Sequence, residues 1–265
     1  MPEINLYNLD CMEGVKKYPD KYFDMILEDM PYGTTACKWD RKVDLGRYWE
    51  SRLRIIKDNG AIVLTASQPF TTDLINSNRD MFKYELVWYK DRPADFGNAN
   101  VKPLRYHENI LVFYSKTPTY NKQFEKRKGG GNERSKYPVN YKQKSEHKFG
   151  MKSATLEYKN IDRCIGTVIE KTTGNRGHLI HPTQKSTELF EHLIKTYTNE
   201  GDKILDGFGG SGTTAIACLN TNRNCETFEL DKDYFEAMMK RFENHKKQLT
   251  IDFPDSYRNS PDKSM

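Results

Sequence analysis

Asp206-Gly207-Phe208-Gly209-Gly210-Ser211-Gly212-Thr213-Thr214 is the stretch on which the reading of this chain turns. The run Lys203-Ile204-Leu205 before it reads as a short buried strand, and a helix is expected to begin near Thr213. Between the two, glycines permit a tight turn and a close approach of backbone to a ligand. No lysine follows the turn, so it is not a phosphate-gripping G-K-[ST] loop. About fifteen residues further on, Glu229 sits in the next strand candidate, Thr227-Phe228-Glu229-Leu230, where a carboxylate can bind two ribose hydroxyls. Turn and acid together point to a nucleoside cofactor.

Outward from this loop, short apolar runs alternate with helical patterns. Phe23–Leu27, Ala61–Leu64, Glu85–Tyr89 and Asn109–Phe113 read as further strands, several of them apolar on both faces as in a covered parallel sheet. Leu189, Phe190, Leu193, Ile194 and Tyr197 recur at helical spacing, as do Tyr234, Phe235, Met238, Met239 and Phe242. Both stripes are expected to be helix faces packed on a sheet. The alternation predicts an open α/β sandwich.

The chain has 265 residues, enough for one large domain or one domain with an insertion. No window approaches the ~18 uninterrupted apolar residues of a membrane span. The start, Met1-Pro2-Glu3-Ile4-Asn5, lacks the profile of a secretory signal, so a soluble, cytoplasmic protein is expected. Five scattered cysteines without a C-x-x-C pair make a disulfide framework or a cysteine zinc site unlike this sequence, and no metal is expected.

One segment departs from the pattern. Lys122 to Lys152 carries ten Lys/Arg against three Glu, a local charge of +7 where the whole chain has +5. Tyr137, Tyr141 and Phe149 are interleaved, and Gly129-Gly130-Gly131 interrupts any periodicity. Composition alone leaves a solvated insertion and a phosphate-contacting surface with aromatic platforms equally open.

Two further motifs complete the picture. Asp29-Met30-Pro31-Tyr32 follows the strand Phe23–Leu27 directly, placing a carboxylate and a ring at a strand's carboxyl end, where open α/β sheets bind ligands. His181-Pro182-Thr183-Gln184-Lys185 precedes the helix pattern starting at Ser186. The three elements together resemble the β group of S-adenosylmethionine-dependent DNA amino-methyltransferases. The D-P-P-Y tetrad of that family is similar to Asp29–Tyr32, and its D-P-F-x-G-S-G-T-T loop to Asp206–Thr214. Its H-P-T-Q-K-P stretch is similar to His181–Lys185, with Ser186 for the last proline. The opening Asn8-Leu9-Asp10-Cys11-Met12-Glu13 resembles the family's G-D-C-L-E start. Two departures are Met30 in the tetrad and Gly207 in the loop.

The resemblance implies a three-layer Rossmann-like methyltransferase sandwich with a mostly parallel sheet. Its halves are expected at 1–115 (catalytic) and 179–248 (cofactor-binding), with a target-recognition insertion at 116–178 and a tail at 249–265. It implies methyl transfer from S-adenosylmethionine to N6 of adenine in double-stranded DNA, because an opening aspartate is more usual in adenine enzymes; N4 of cytosine is the alternative. A non-catalytic DNA-binding protein with a degenerate methyltransferase fold is the rival from another class. Cytosine C5 chemistry needs a Pro-Cys nucleophile, and none of the five cysteines follows proline.

The implied catalytic residues are Asp29, Pro31 and Tyr32. The implied cofactor residues are Asp10 and Cys11 by the adenine ring, Thr183 and Lys185 toward the methionine portion, and Glu229 on the ribose. Asp206 is expected near the cofactor's ammonium group, with Phe208, Gly209, Gly210, Ser211, Gly212 and Thr213 forming the loop. Lys126, Arg127, Lys128, Arg134, Lys136, Lys142 and Lys144 are expected to contact DNA. A cognate restriction enzyme and a homodimer are partners the sequence leaves open.

Overall fold

The computed structural model describes residues 1–33, 42–94, 96–126, 162–173 and 184–252. Two compact units divide the chain: one holds Met1–Asn121 with Thr167 onward, the other Lys122–Gly166. In the second unit, β6 (Phe124–Lys126) pairs antiparallel with β7 (Asp162–Cys164).

The first unit is built on an eight-stranded sheet. Its strands are β1 (Ile4–Asn8), β2 (Phe23–Glu28), β3 (Ile56–Ala66), β4 (Phe82–Ala94), β5 (Arg105–Phe113), β8 (Val168–Glu170), β9 (Lys203–Asp206) and β10 (Asn224–Glu229). They lie in the order β1-β10-β9-β2-β3-β5-β4-β8. β5 runs against both β3 and β4; the other neighbours are parallel. The chain therefore winds outward in two directions from the central pair β9 and β2. That reversal opens a crevice at the strands' carboxyl ends.

Helices cover both faces. On one, Tyr48, Trp49 and Ile55 of α2 (Leu45–Ile55) and Phe70 and Leu74 of α3 (Phe70–Ser77) pack with Phe23, Ile26, Leu64 and Phe113. Val15, just past the short α1 (Cys11–Gly14), joins them. On the other, Ala215 and Ile216 of α5 (Thr213–Asn220) meet Phe242 of α6 (Lys232–Asp252) beside Ile4 and Leu6 of β1. α4 (Thr187–Tyr197) buries Leu189, Phe190, Leu193, Ile194 and Tyr197, the stripe expected from its spacing. Ser186, which stands where the family's proline would, caps this helix by accepting from the Leu189 amide at 3.4 Å. The helix α6 runs on past Leu249 to Asp252, and the rest of the expected tail lies outside the described residues. Among the described residues, no helix is long and apolar enough to cross a membrane.

Candidate active site

Both motif loops leave the central strand pair on the crevice side. Asp206 ends β9, and Asp29 follows the last residue of β2. The Asp206–Thr214 segment is shaped by its own polar groups. Asp206 accepts from the Phe208 amide at 2.9 Å and from the Thr214 hydroxyl, closing the turn from inside. Burial raises its carboxyl to about 7 despite these two hydrogen bonds, and the nearby Glu28 and Asp29 add to the rise. Gly209 donates to the Phe228 carbonyl at 2.7 Å; a Cβ there would lie 2.6 Å from Thr227 Cγ2. Gly212 precedes α5 with φ +74°, a conformation that favours glycine.

Glu229 is tied to this loop. One carboxylate oxygen accepts from the Gly210 amide at 2.7 Å and the other from the Asp231 amide at 2.8 Å. Just past the neighbouring strand β1, Asp10 caps α1 through the Met12 amide at 2.7 Å. Asn8 and Glu229 are partners in the parallel pair, so Leu9 and Leu230 follow them at the carboxyl end of the sheet. Both leucines are exposed, Leu230 by 70%. Two open apolar side chains beside a carboxylate and a glycine turn fit the face of a nucleoside. A half-buried arginine braces the loop: Arg241 of α6 donates to the Ser211 carbonyl at 2.7 Å and to the Thr213 hydroxyl at 3.1 Å. Thr213 in turn donates to the Lys185 carbonyl at 3.3 Å.

Beneath the loop lies a charged pair that sequence reasoning missed. Glu28 is fully buried and accepts from Arg52 Nε at 3.0 Å, from the Tyr48 hydroxyl at 2.6 Å and from the Gly207 amide at 3.0 Å. Arg52 also reaches Cys11 Sγ at 3.3 Å. Burial pushes the Cys11 thiol up to about 11, against the pull of Arg52, so it stays a neutral thiol. Met30 is buried in the core, which gives the first tetrad departure an apolar role.

At the neighbouring corner, three donors converge on one oxygen of Asp29. Tyr32 donates to Oδ1 at 3.0 Å, the Thr65 hydroxyl donates to the same atom, and Lys185 Nζ stands 3.0 Å from it. The Tyr32 ring stacks on Phe70, 5.3 Å between centroids. Lys185 is equally close to Glu108, 3.0 Å from Oε2, and Glu108 also pairs with Lys90. Burial alone would drive Glu108 up, yet the two ammonium groups bring it down to about 2. The Lys185 side chain is thus engaged by two carboxylates, Asp29 of the tetrad and Glu108 of β5. Thr65, Glu108 and Lys90 carry no motif; only the fold assembles them. Thr183, Arg127, Lys128, Arg134, Lys136, Lys142 and Lys144 lie outside the described residues, as does the side chain of Lys126.

A family profile for DNA methylases of the N6/N4 type matches residues 23–240, and the chain belongs to that family. Among named relatives, the type II methyltransferase M.BglII of Bacillus subtilis is 28% identical over 278 residues. That match covers 97% of this chain and 71% of the relative. The type II methyltransferase M2.MboI of Moraxella bovis is 25% identical over 286 residues, covering 96% and 93%. The fold is shared with the solved M1.HpyAVI–SAM complex, at TM-score 0.59 and 24% identity over 90% of this chain and 99% of that one. It is shared also with the cytosine-N4-specific PvuII DNA methyltransferase, at TM-score 0.63 and 14% identity over 93% and 91%. Fold class and family are as the motif order implied.

Proposed function

We propose that this chain is an S-adenosylmethionine-dependent methyltransferase acting on N6 of adenine in duplex DNA. The observation that carries the reading is the Asp29 corner: a carboxylate fixed through one oxygen by three donors, beside a tyrosine ring, one strand from a glycine loop suited to a nucleoside. Bound cofactor supplies a sulfonium methyl group already activated for displacement. The chain must fix the nitrogen in line with it, which is catalysis by proximity and orientation.

An exocyclic amine is a weak nucleophile because its lone pair is delocalised into the ring. Asp29 accepts one N–H of the extruded base and the Pro31 carbonyl the other, favouring the pyramidal amine; the ionised acceptor makes the stronger bond. Asp29 is also the nearest base for the proton the nitrogen sheds after transfer. Tyr32 holds the base by stacking, worth ~1–3 kcal/mol. The base leaves the duplex to reach this crevice. The 116–178 region, with Lys126, Arg127, Lys128, Arg134, Lys136, Lys142 and Lys144, contacts DNA. Asp10, Cys11, Lys185, Thr183 and the 206–213 loop surround the cofactor, and Glu229 takes its ribose.

The two motif departures have structural partners here: Met30 fills core space, and Gly207 donates to Glu28. This supports an active enzyme over a degenerate one. An aspartate at the first tetrad position supports adenine. Labelled cofactor incubated with duplex DNA, followed by digestion to nucleosides, is expected to place the label on N6-methyladenine. Label only on N4-methylcytosine would reassign the base; DNA binding with no label would leave the non-catalytic reading.

A further inference from the structure

The reaction as read above uses Asp29 and leaves Glu108 and Lys90 without a task. Yet these two are among the few charged side chains buried in the sheet, each 9% exposed. Glu108 lies on β5 directly opposite Trp88 of β4, and Lys90 follows two residues on, on the same face of β4. The Lys90 ammonium sits 4.8 Å from the centre of the Trp88 ring. Glu108 turns one oxygen to Lys90 and the other to Lys185, whose own ammonium is shared with Asp29. The four groups form a row of alternating sign: Asp29, Lys185, Glu108, Lys90. Its formal charge sums to zero.

Such a row has a consequence for its first member. Lys185 is pulled from both sides at the same distance, 3.0 Å to Asp29 and 3.0 Å to Glu108. Removing the charge of Glu108 leaves the ammonium to Asp29 alone, which draws charge from the carboxylate that must accept the amine. Removing Lys90 leaves Glu108 to draw Lys185 away from Asp29, loosening the oxygen that three donors now fix. In a site of low dielectric neither imbalance is screened as in water. Taking away the charges of both Glu108 and Lys90 leaves Asp29 and Lys185 as a neutral pair.

We propose that Glu108 and Lys90 are positioning residues for methyl transfer, setting through Lys185 how Asp29 is held and how strongly it accepts. The inference rests on the methyltransferase reading and extends it to two residues that this reading leaves without a role.

The test is a double-mutant cycle on the full chain, E108Q, K90M and E108Q/K90M, read as single-turnover methyl transfer to duplex DNA together with cofactor Kd. Each single variant is expected to lose about 10- to 100-fold in rate, corresponding to roughly 1.4–2.7 kcal/mol of barrier, with cofactor Kd within about twofold. The double variant is expected to regain most of that loss. A double variant as slow as the slower single one, or slower, overturns the proposal, because a purely packing role predicts no recovery. Equal loss of cofactor affinity and rate in the single variants overturns it as well. Where E108Q does not fold, E108D carries the test: the retained charge on a shorter arm is expected to keep cofactor affinity and slow transfer, and an unchanged rate refutes the idea. Absence of methyl transfer by the wild-type chain would instead refute the underlying reading, and the proposal with it.

Discussion

The backbone N–H of Gly207 donates to the buried carboxylate of Glu28 at 3.0 Å, joining the loop after β9 to the end of β2, 179 residues away in sequence. That amide is what a proline would lack, and proline is the residue the family loop usually carries here. A Cβ at position 207 would also fall 2.4 Å from Arg52 Nη2 and 2.6 Å from Glu28 Oε1. Glycine and the buried Glu28–Arg52 pair are therefore fitted to one another. Gly207→Pro, though it moves the loop toward the family pattern, is expected to destabilise the fold by about 3 kcal/mol, from a lost charged hydrogen bond and an overlap. Denaturant unfolding measures it; a variant as stable as the parent would show that the pair moves aside at no cost.

Tyr32 combines two contacts that substitution can separate. Its ring stacks on Phe70 and its hydroxyl donates to Asp29. Tyr32→Phe keeps the ring and removes one of three donors, so methyl transfer is expected to slow roughly tenfold with DNA affinity unchanged. Tyr32→Ala loses the platform too, and is expected to weaken binding of DNA by a further 10-fold or more. Single-turnover rates and DNA titrations on both variants distinguish the roles. Equal behaviour of Phe and Ala would mean that the ring does not meet the base.

How far this was legible in the sequence depends on the range of the interactions involved. β2 could be read because Phe23-Asp24-Met25-Ile26-Leu27 is covered on both faces and so is apolar nearly throughout. The helix stripes of α4 and α6 were equally plain. β1 was not read: Ile4-Asn5-Leu6-Tyr7-Asn8 lies at the sheet edge and mixes polar with apolar side chains. β4 runs on through Lys90-Asp91-Arg92, where no apolar alternation marks a strand. The motif residues were found through short local signatures. Glu28 and Arg52, 24 residues apart, form their pair through tertiary packing alone, and no spacing rule announces it. The same holds for Lys185, whose motif could be recognised while the direction of its ammonium depended on where β5 placed Glu108.

The basic segment is tested through its charge. With ten Lys/Arg against three Glu between Lys122 and Lys152, its contribution to DNA binding should be counterion release from phosphates. Replacing Lys126, Arg127 and Lys128 by Gln is expected to weaken binding and to reduce the slope of log K against log salt by about 2–3. Fluorescence anisotropy over a salt series reads the slope directly. An unchanged slope would remove this cluster from the interface.

Asp206 makes stability depend on pH in a direction opposite to that of most carboxylates. Its carboxyl titrates at about 7 in the folded chain, against the ordinary 3.8, because burial outweighs the hydrogen bonds from Thr214 and Phe208. Between those two values the folded chain holds a proton that the unfolded chain has released. Stability from this group is therefore highest at low pH, falls as pH rises from about 4 through about 7, and is level above that. The full span is on the order of 4 kcal/mol as an upper bound. Asp206→Asn keeps an acceptor for Thr214 and Phe208 without the charge. Cofactor-free protein unfolded in denaturant at pH 5 and at pH 8 is expected to show a smaller fall for the Asn variant than for the parent. A parent and variant with the same fall would mean that Asp206 is ionised across the window, with its charge compensated in the fold.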